Sequence, residues 1–275
     1  YGIVCDMILA PGWSHKSTVA AAMRAKAETI NGVFHGAKAL IDIDTTEVTH
    51  YADAPAWKKT QNINDKAEIL CWPLFGLGDY VFHASVHTAA RMTATDSDNG
   101  GCPAESPSNK SLQIDRACLA DGTTVLLDLN QANYLNSNGI VTALNFIGGY
   151  VLWGNETACF PADTDVKNYF IPVSRMFGWV ANSLVLSYWS KLDKKMTRRL
   201  IDSIVNSVNI WLNGLVNEEK LLGGRVEFLE EENSETALMD GKAVFHIYMT
   251  PPSPMKECEF VLEYDADYVS SALAA

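Results

Sequence analysis

The run Ala37-Lys38-Ala39-Leu40-Ile41-Asp42-Ile43-Asp44 decides the class of fold. It is apolar, of strand length, and closes on Asp42-Ile43-Asp44, the pattern of a short buried strand. Upstream lies a second run of this kind, residues 3–9, stopped by Pro11-Gly12. Between the two, residues 18–30 carry alanines and Met23 among Arg24, Lys26 and Glu28, with Ser17 placed to cap a helix. Downstream, residues 67–72 form a third run, closed by Pro73. Strand, helix and strand in alternation favour a sheet with helices packed on it. The expected class is α/β and α+β: a mixed sheet with flanking helices, then a C-terminal domain of helices, a small sheet and a terminal arm strand.

Further along, residues 95–109 are rich in Asp, Ser, Gly and Pro and read as a long loop, the kind that carries function or an interface. Residues 119–129 and 151–153 read as strands, and Asn136-Ser137-Asn138-Gly139 as a turn. The chain then changes character. Helices are expected over 166–189 and 197–217. In the second, Leu200, Ile201, Ile204, Val208, Trp211, Leu212 and Leu215 share one face, and Gly223-Gly224 ends that region. Strands are expected over 225–228 and 242–250, with Glu230-Glu231-Glu232 as a solvated tip between them. Two domains follow from this reading, 1–135 with its loop 95–109, and 136–275 with a terminal arm over 256–275.

The arm is stiffened at its root by Pro251-Pro252-Ser253-Pro254. Beyond it, residues 258–264 alternate: Phe260, Leu262 and Tyr264 project to one side, and Glu259, Val261 and Glu263 to the other. A terminal strand must pair with a sheet edge, its own or a neighbour's.

Composition narrows the function. Of 275 residues, 48% are hydrophobic, enough for a packed core. A net charge of −12 argues against general nucleic-acid binding, which needs a basic surface. No apolar run reaches the roughly 18 residues of a membrane span, since Pro172, Arg175, Gly178 and Asn182 interrupt the best candidate. No basic stretch precedes the apolar block at Tyr1, so a strand is read there and not a signal segment, and natural sequence is expected before Tyr1. The six cysteines (Cys5, Cys71, Cys102, Cys118, Cys159, Cys258) form no CxxC pair and are expected to be reduced and mostly buried.

Residue patterns that carry chemistry are sparse. Ser85 and His87, with several aspartates, invite a hydrolase triad, but no GxSxG elbow is present, and two residues apart on a strand they would not form a nucleophile–base pair. The other histidines, His15, His35, His50, His83 and His246, lack metal-ligand spacing. Asp96-Ser97-Asp98-Asn99-Gly100 is similar to the start of a calcium loop, but its glycine comes one position early and Pro107 stands where a bidentate Glu is needed. Neither GxGxxG nor GxxxxGK[ST] occurs. No catalytic residue, metal or cofactor is expected.

Several phrases in order resemble the contractile phage tail sheath family, which includes sheaths of R-type bacteriocins. Leu9-Ala10-Pro11-Gly12-Trp13-Ser14 is similar to its strand-ending turn, Ala39-Leu40-Ile41-Asp42-Ile43 to a family strand, and Cys71-Trp72-Pro73 to an aromatic–proline phrase. Ala90-Arg91 through Asp96 to Ser106-Pro107-Ser108-Asn109 resembles a family loop. Leu135-Asn136 to Gly139-Ile140, then Gly149-Tyr150-Val151-Leu152-Trp153-Gly154-Asn155-Glu156-Thr157, follow the pattern too, as do Val208-Asn209-Ile210-Trp211-Leu212 and Leu221-Leu222-Gly223-Gly224. There are departures: residues 85–88 replace family glycines, Cys102 stands where Trp is common, and Asn155-Glu156 replaces a small–Arg pair.

The resemblance implies a structural subunit and not an enzyme. Such a subunit polymerises into stacked six-fold rings around a tail tube, meets baseplate and tail terminator proteins, and contracts to drive the tube through a cell envelope. It implies a place in a virion tail or bacteriocin particle, assembled in the host cytoplasm, with genome ejection as the outcome in a phage. It also implies terminal arms that add strands to a neighbour's sheet. The candidate assembly residues are Glu257, Glu259, Phe260, Val261, Leu262, Glu263 and Tyr264, with Trp211 on the helix over 197–217. An α/β hydrolase-like enzyme and a non-contractile virion assembly protein are the alternatives.

Overall fold

The computed structural model describes residues 3–273. Strand β1 (Met7–Leu9) leads through helix α1 (Ser17–Glu28) to β2 (Lys38–Asp42), and α2 (Ala54–Thr60) leads on to β3 (Glu68–Cys71). A hairpin of β4 (Leu74–Leu77) and β5 (Tyr80–Phe82) follows, then the long helix α3 (Ala84–Asp98), β6 (Arg116–Cys118), β7 (Thr124–Val125) and α4 (Leu129–Asn136). Next come β8 (Ile140–Asn145) and β9 (Tyr150–Trp153). The C-terminal part holds α5 (Val166–Tyr169), α6 (Ile171–Tyr188), α7 (Arg198–Asn217), β10 (Gly223–Glu227), α8 (Glu235–Met239), β11 (His246–Thr250) and α9 (Asp267–Leu273).

The main sheet has the order β1-β2-β3-β8-β9; its first four strands are parallel and β9 runs antiparallel to β8. Successive side chains on a strand face opposite ways. Ile41, Leu70 and Ile140 therefore join Ala20, Trp57 and Leu135 on one face. Leu40, Ile69 and Val141 join Ala84, Ala89 and Met92 of α3 on the other. With both faces covered, β2 and β3 are buried at every position, which is why their middles read as apolar runs, while the charged residues at their ends, Lys38, Asp42 and Glu68, are buried with them. Each fully buried Leu or Ile contributes roughly 1.5–3 kcal/mol. A second, antiparallel sheet, β5-β4-β6-β7, packs Phe75 and Ala117 into the α3 side.

The C-terminal core is separate: Met176 and Val180 of α6, Val208, Leu212 and Leu215 of α7, and Leu221 and Val226 close around it. Helix α6 ties this core to the main sheet through four contacts. Arg175 Nη1 and Nη2 donate to the two carboxylate oxygens of Asp96 on α3 at 2.9 and 2.5 Å. Asn182 exchanges hydrogen bonds with the backbone N–H and C=O of His35. Lys38 Nζ reaches Ser174 Oγ at 2.6 Å. At Gly178 the backbones nearly touch: a Cβ there would stand 2.9 Å from Gly36 Cα. Gly178→Ala is accordingly expected to cost about 1–3 kcal/mol of stability, measured by urea denaturation. An unchanged midpoint would mean that the two segments separate at no cost.

Lys38 is buried, and burial, with Arg175 and Lys66 nearby, pushes its ammonium pKa down to about 7. Burial likewise brings Lys58 down to about 8. An unfolded lysine titrates near 10.4, so above about pH 7 the unfolded chain binds more protons than the folded one. Stability therefore rises with pH from about 7, and these groups contribute no slope once both states are protonated. Between about pH 7 and 8 the urea midpoint is expected to climb; nearer the free thiol pKa the climb is opposed, because burial raises the pKa of Cys71, Cys102, Cys118 and Cys159. In Lys38→Met the climb should be shallower, with Lys58 supplying the remainder. Equal slopes in the two proteins would contradict the assignment.

Several expectations shift. The first residues of the span 95–109 finish α3, whose small, polar inward face (Ser85, Thr88, Thr95) hid the helix. Asp96 is thus helical and paired with Arg175, not the start of an open calcium-type loop. The helix over 166–189 is two helices parted at Phe170, whose backbone is extended; Pro172 can open a helix but not continue one. Lys16, not Ser17, is the N-cap position of α1. Only Thr124–Val125 of 119–129 is strand, and Asp128 instead caps α4 through a reciprocal bond pair with Gln131. Gly223 and Gly224 begin β10. The boundary drawn at 135/136 falls inside the main sheet, because β8 and β9 complete it. Four cysteines are buried, Cys5 and Cys258 are exposed, and all six are free thiols.

Candidate functional site

The hydrolase constellation dissolves in the structure. Ser85 and His87 lie on α3, not on a strand. Ser85 Oγ and N–H both donate to the Asp42 carboxylate, at 2.6 and 2.8 Å. Ser14 bonds the same residue, and His83 Nδ1 stands 3.5 Å from Asp42 Oδ2. The carboxylate, and not an imidazole, accepts from the hydroxyl, so the serine–histidine contact of a triad is not made, and Ser85 is fully buried. His87 instead packs edge-on against Phe75 and Phe82. Asp42 serves to join the turn after β1 to the start of α3. Among the described residues, no group of three or more His, Cys, Asp or Glu is placed to hold a metal. No helix there is long and apolar enough to cross a membrane.

What remains open is the two-stranded C-terminal sheet. β10 and β11 pair antiparallel, with Val226 opposite Ile247. The outer edge of β10 is occupied, because α7 packs along it. There Asn209 accepts from Val226 N–H at 3.0 Å and donates to Val226 C=O at 3.2 Å. One carboxamide thus fills the place of a neighbouring strand. Asn233 does the same for Val244, with bonds of 2.8 and 2.9 Å, just before β11 starts. Beyond that plug, the outer edge of β11 has no strand beside it among the described residues. Beneath it lies a groove of about 470 Å³ lined by Leu184, Tyr188, Met196, Ile201, Phe245 and Ile247.

The segment expected to be the arm strand is not a strand within its own chain. Residues 251–265 have neither helix nor ladder, because an alternating strand with no edge to join has no hydrogen-bond partners. Its apolar side chains are left in solvent: Phe260, Val261, Leu262 and Tyr264 are 82–95% exposed. Glu257, Glu259 and Glu263 are exposed beside them. Trp211 stands apart from this group; its ring packs on Trp179 of α6, with centroids 5.8 Å apart. Sequence reasoning missed Asn209 and Asn233 as edge plugs. Their signal was faint: lone Asn residues beside strand-like runs.

No family model matches the chain. A curated relative, the tail sheath protein of Burkholderia phage BcepMu, is 29% identical over 98% of this chain. The major tail sheath protein of Serratia phage KSP20 is 26% identical over 53% of it. This chain is a homologue of tail sheath proteins. It spans 57% of the length of the BcepMu protein and 36% of that of KSP20. Solved contractile sheaths share its fold. The sheath of an extracellular contractile injection system (PVC), contracted, superposes with a TM-score of 0.79 at 15% identity, covering 97% of this chain and 72% of that one. The contracted helical sheath of the anti-feeding prophage gives 0.74 at 18% identity, covering 96% and 71%.

Two departures from the sheath pattern find local explanations. Cys102, where Trp is common, is buried in the C-terminal core with its Sγ 3.4 Å from Met176 Sδ. Glu156, where the pattern has Arg, is buried and pairs with Lys256 Nζ at 2.5 Å; that ammonium also lies 4.9 Å from the Phe160 ring centroid. The pair fixes the root of the C-terminal segment beside β9, so the free run begins at Glu257.

Proposed function

We propose that the intact protein is the structural subunit of a contractile tail sheath, polymerising in stacked six-fold rings around a tail tube and contracting to drive it through a target envelope. The observation that carries this reading is homology to a tail sheath protein along 98% of the chain, and the fold shared with contracted sheaths supports it. Its partners are further copies of itself, the tube protein, and baseplate and terminator proteins. Its place is the tail of a virion or bacteriocin particle assembled in the host cytoplasm. The role is mechanical and non-catalytic: free energy resides in contacts between subunits that have two packed arrangements.

The link that persists through contraction is the arm. Residues 257–264 of one subunit add to the open edge of β11 in the next, because backbone hydrogen bonds tolerate rigid-body rotation of the cores better than a side-chain mosaic does. Asn209 and Asn233 leave that edge as the acceptor. Trp211 contributes indirectly by holding α7, and with it β10, in place. The unit from α6 onward acts as the connector, and the main sheet as the body that swings. Electron microscopy of the intact protein expressed alone tests this: striated hollow tubes are expected. Particles that remain monomeric even with tube and baseplate proteins present would refute it.

A further inference from the structure

The chain is acidic overall, yet five of its 21 Lys and Arg residues fall within nine positions: Lys191, Lys194, Lys195, Arg198 and Arg199, against a single carboxylate, Asp193. They occupy the connection between α6 and α7 and the first turn of α7. Lys194, Lys195, Arg198 and Arg199 are exposed. Cations at a helix N-terminus oppose its dipole; Arg198 is offset by an exposed i,i+4 ion pair with Asp202 at 3.0 Å, while Arg199 adds a further cation to the same first turn. Lys191, Lys194 and Lys242 line the apolar groove below β11 together with one carboxylate, Asp193, and Lys195, Arg198 and Arg199 follow just beyond that lining in the chain.

The free segment has the complementary make-up. Over 257–265 it carries Glu257, Glu259, Glu263 and Asp265 and no cation. As a strand it would put Phe260, Leu262 and Tyr264 on one face and the carboxylates on the other. Sliding along β11 with its apolar face in the groove, it would bury surface now in water. Its acidic face would then lie within about a Debye length, ~8–10 Å, of the basic rim.

We infer that the groove bounded by the basic α6–α7 connection and β11 is an electrostatic receptor for residues 257–265 of a second copy of this chain. The inference rests on the arm reading above and adds what selects the arm. Apolar packing and ladder bonds hold it, while the rim cations speed its capture and reject segments of other charge. The carboxylates stay hydrated, so the effect lies in rate and selectivity more than in final strength.

The test is charge reversal in the intact protein. Lys194→Glu/Lys195→Glu/Arg198→Glu/Arg199→Glu should slow polymerisation on the order of tenfold or more at low ionic strength. The difference should vanish near ~0.5 M salt, where screening is short-ranged. Glu257→Lys/Glu259→Lys/Glu263→Lys should fail in the same way alone and restore assembly when combined with the first set. Circular dichroism of each variant separates misfolding from lost recognition, and rescue by the combination excludes misfolding outright. If the first set assembles at the normal rate while Val261→Pro does not, the arm reading stands and the receptor is overturned. If the first set polymerises alone but cannot enclose the tube protein, the basic rim belongs to the tube contact and the inference is again overturned. If Val261→Pro and Leu262→Pro both assemble as well, the arm reading itself has failed.

Discussion

Replacing Val261 with proline is expected to abolish polymerisation while leaving the folded subunit intact. Residues 251–265 belong to no helix or sheet in the single chain, so the substitution removes no intrachain ladder bond. In the assembly it removes an N–H and narrows the backbone at the centre of the added strand. A ladder acceptor left without its donor costs about 1–3 kcal/mol, roughly five- to 150-fold in each subunit contact, and the loss recurs at every joint. Adjacent N–H groups point to opposite edges of a strand, so Leu262→Pro belongs in the same experiment: one of the two must break the ladder. Sedimentation reads the outcome. Normal polymers from both variants would show that the arm makes no strand joint.

The largest effect on stability is expected at Arg175. Its guanidinium is 5% exposed and binds both oxygens of Asp96, which is 15% exposed. Burial raises the pKa of Asp6 nearby, an effect that Arg175 offsets and Asp96 reinforces. Arg175→Ala would strand the Asp96 carboxylate in a dry site, at a cost of about 3–5 kcal/mol. Replacing both partners with apolar residues, Arg175→Met with Asp96→Leu, should recover most of that, since a buried pair often does little better than well-packed hydrophobic side chains. Because α3 belongs to the main core and α6 to the C-terminal core, the single variant should also loosen one from the other. Urea denaturation of the two single variants and the double variant decides it, and a loss below about 1 kcal/mol for Arg175→Ala would refute the role.

How much of this was legible in the sequence depends on what each element faces. β2 and β3 are covered on both sides, so between the charged residues at their ends (Lys38, Asp42, Glu68) they are apolar, and their reading is direct. α7 keeps a wide apolar stripe and a capping Thr197, and its bounds were legible almost to the residue. α3 was not, because its buried face of Ala84, Ser85, Thr88, Ala89 and Thr95 is small and partly polar and gives no hydrophobic period. The Asp-rich end of that helix looks like a loop until Arg175, 79 positions away, is known to meet it. The alternation in 258–264 marks a strand, but its partner edge is absent from the chain's own fold, and no local pattern states which copy supplies it. The edge plugs at Asn209 and Asn233 are likewise invisible until β10 and β11 are placed.

The most direct measurement is a helical cryo-electron microscopy reconstruction of the assembled sheath at a resolution that traces backbone. The account predicts a third strand along the outer edge of β11 in every subunit, with density for Phe260, Leu262 and Tyr264 in the groove beside Phe245 and Ile247, and continuous chain leading back to Lys256 of an adjacent copy. A reconstruction in which β11 keeps a bare edge, or in which residues 257–264 fold back on their own subunit, would contradict it.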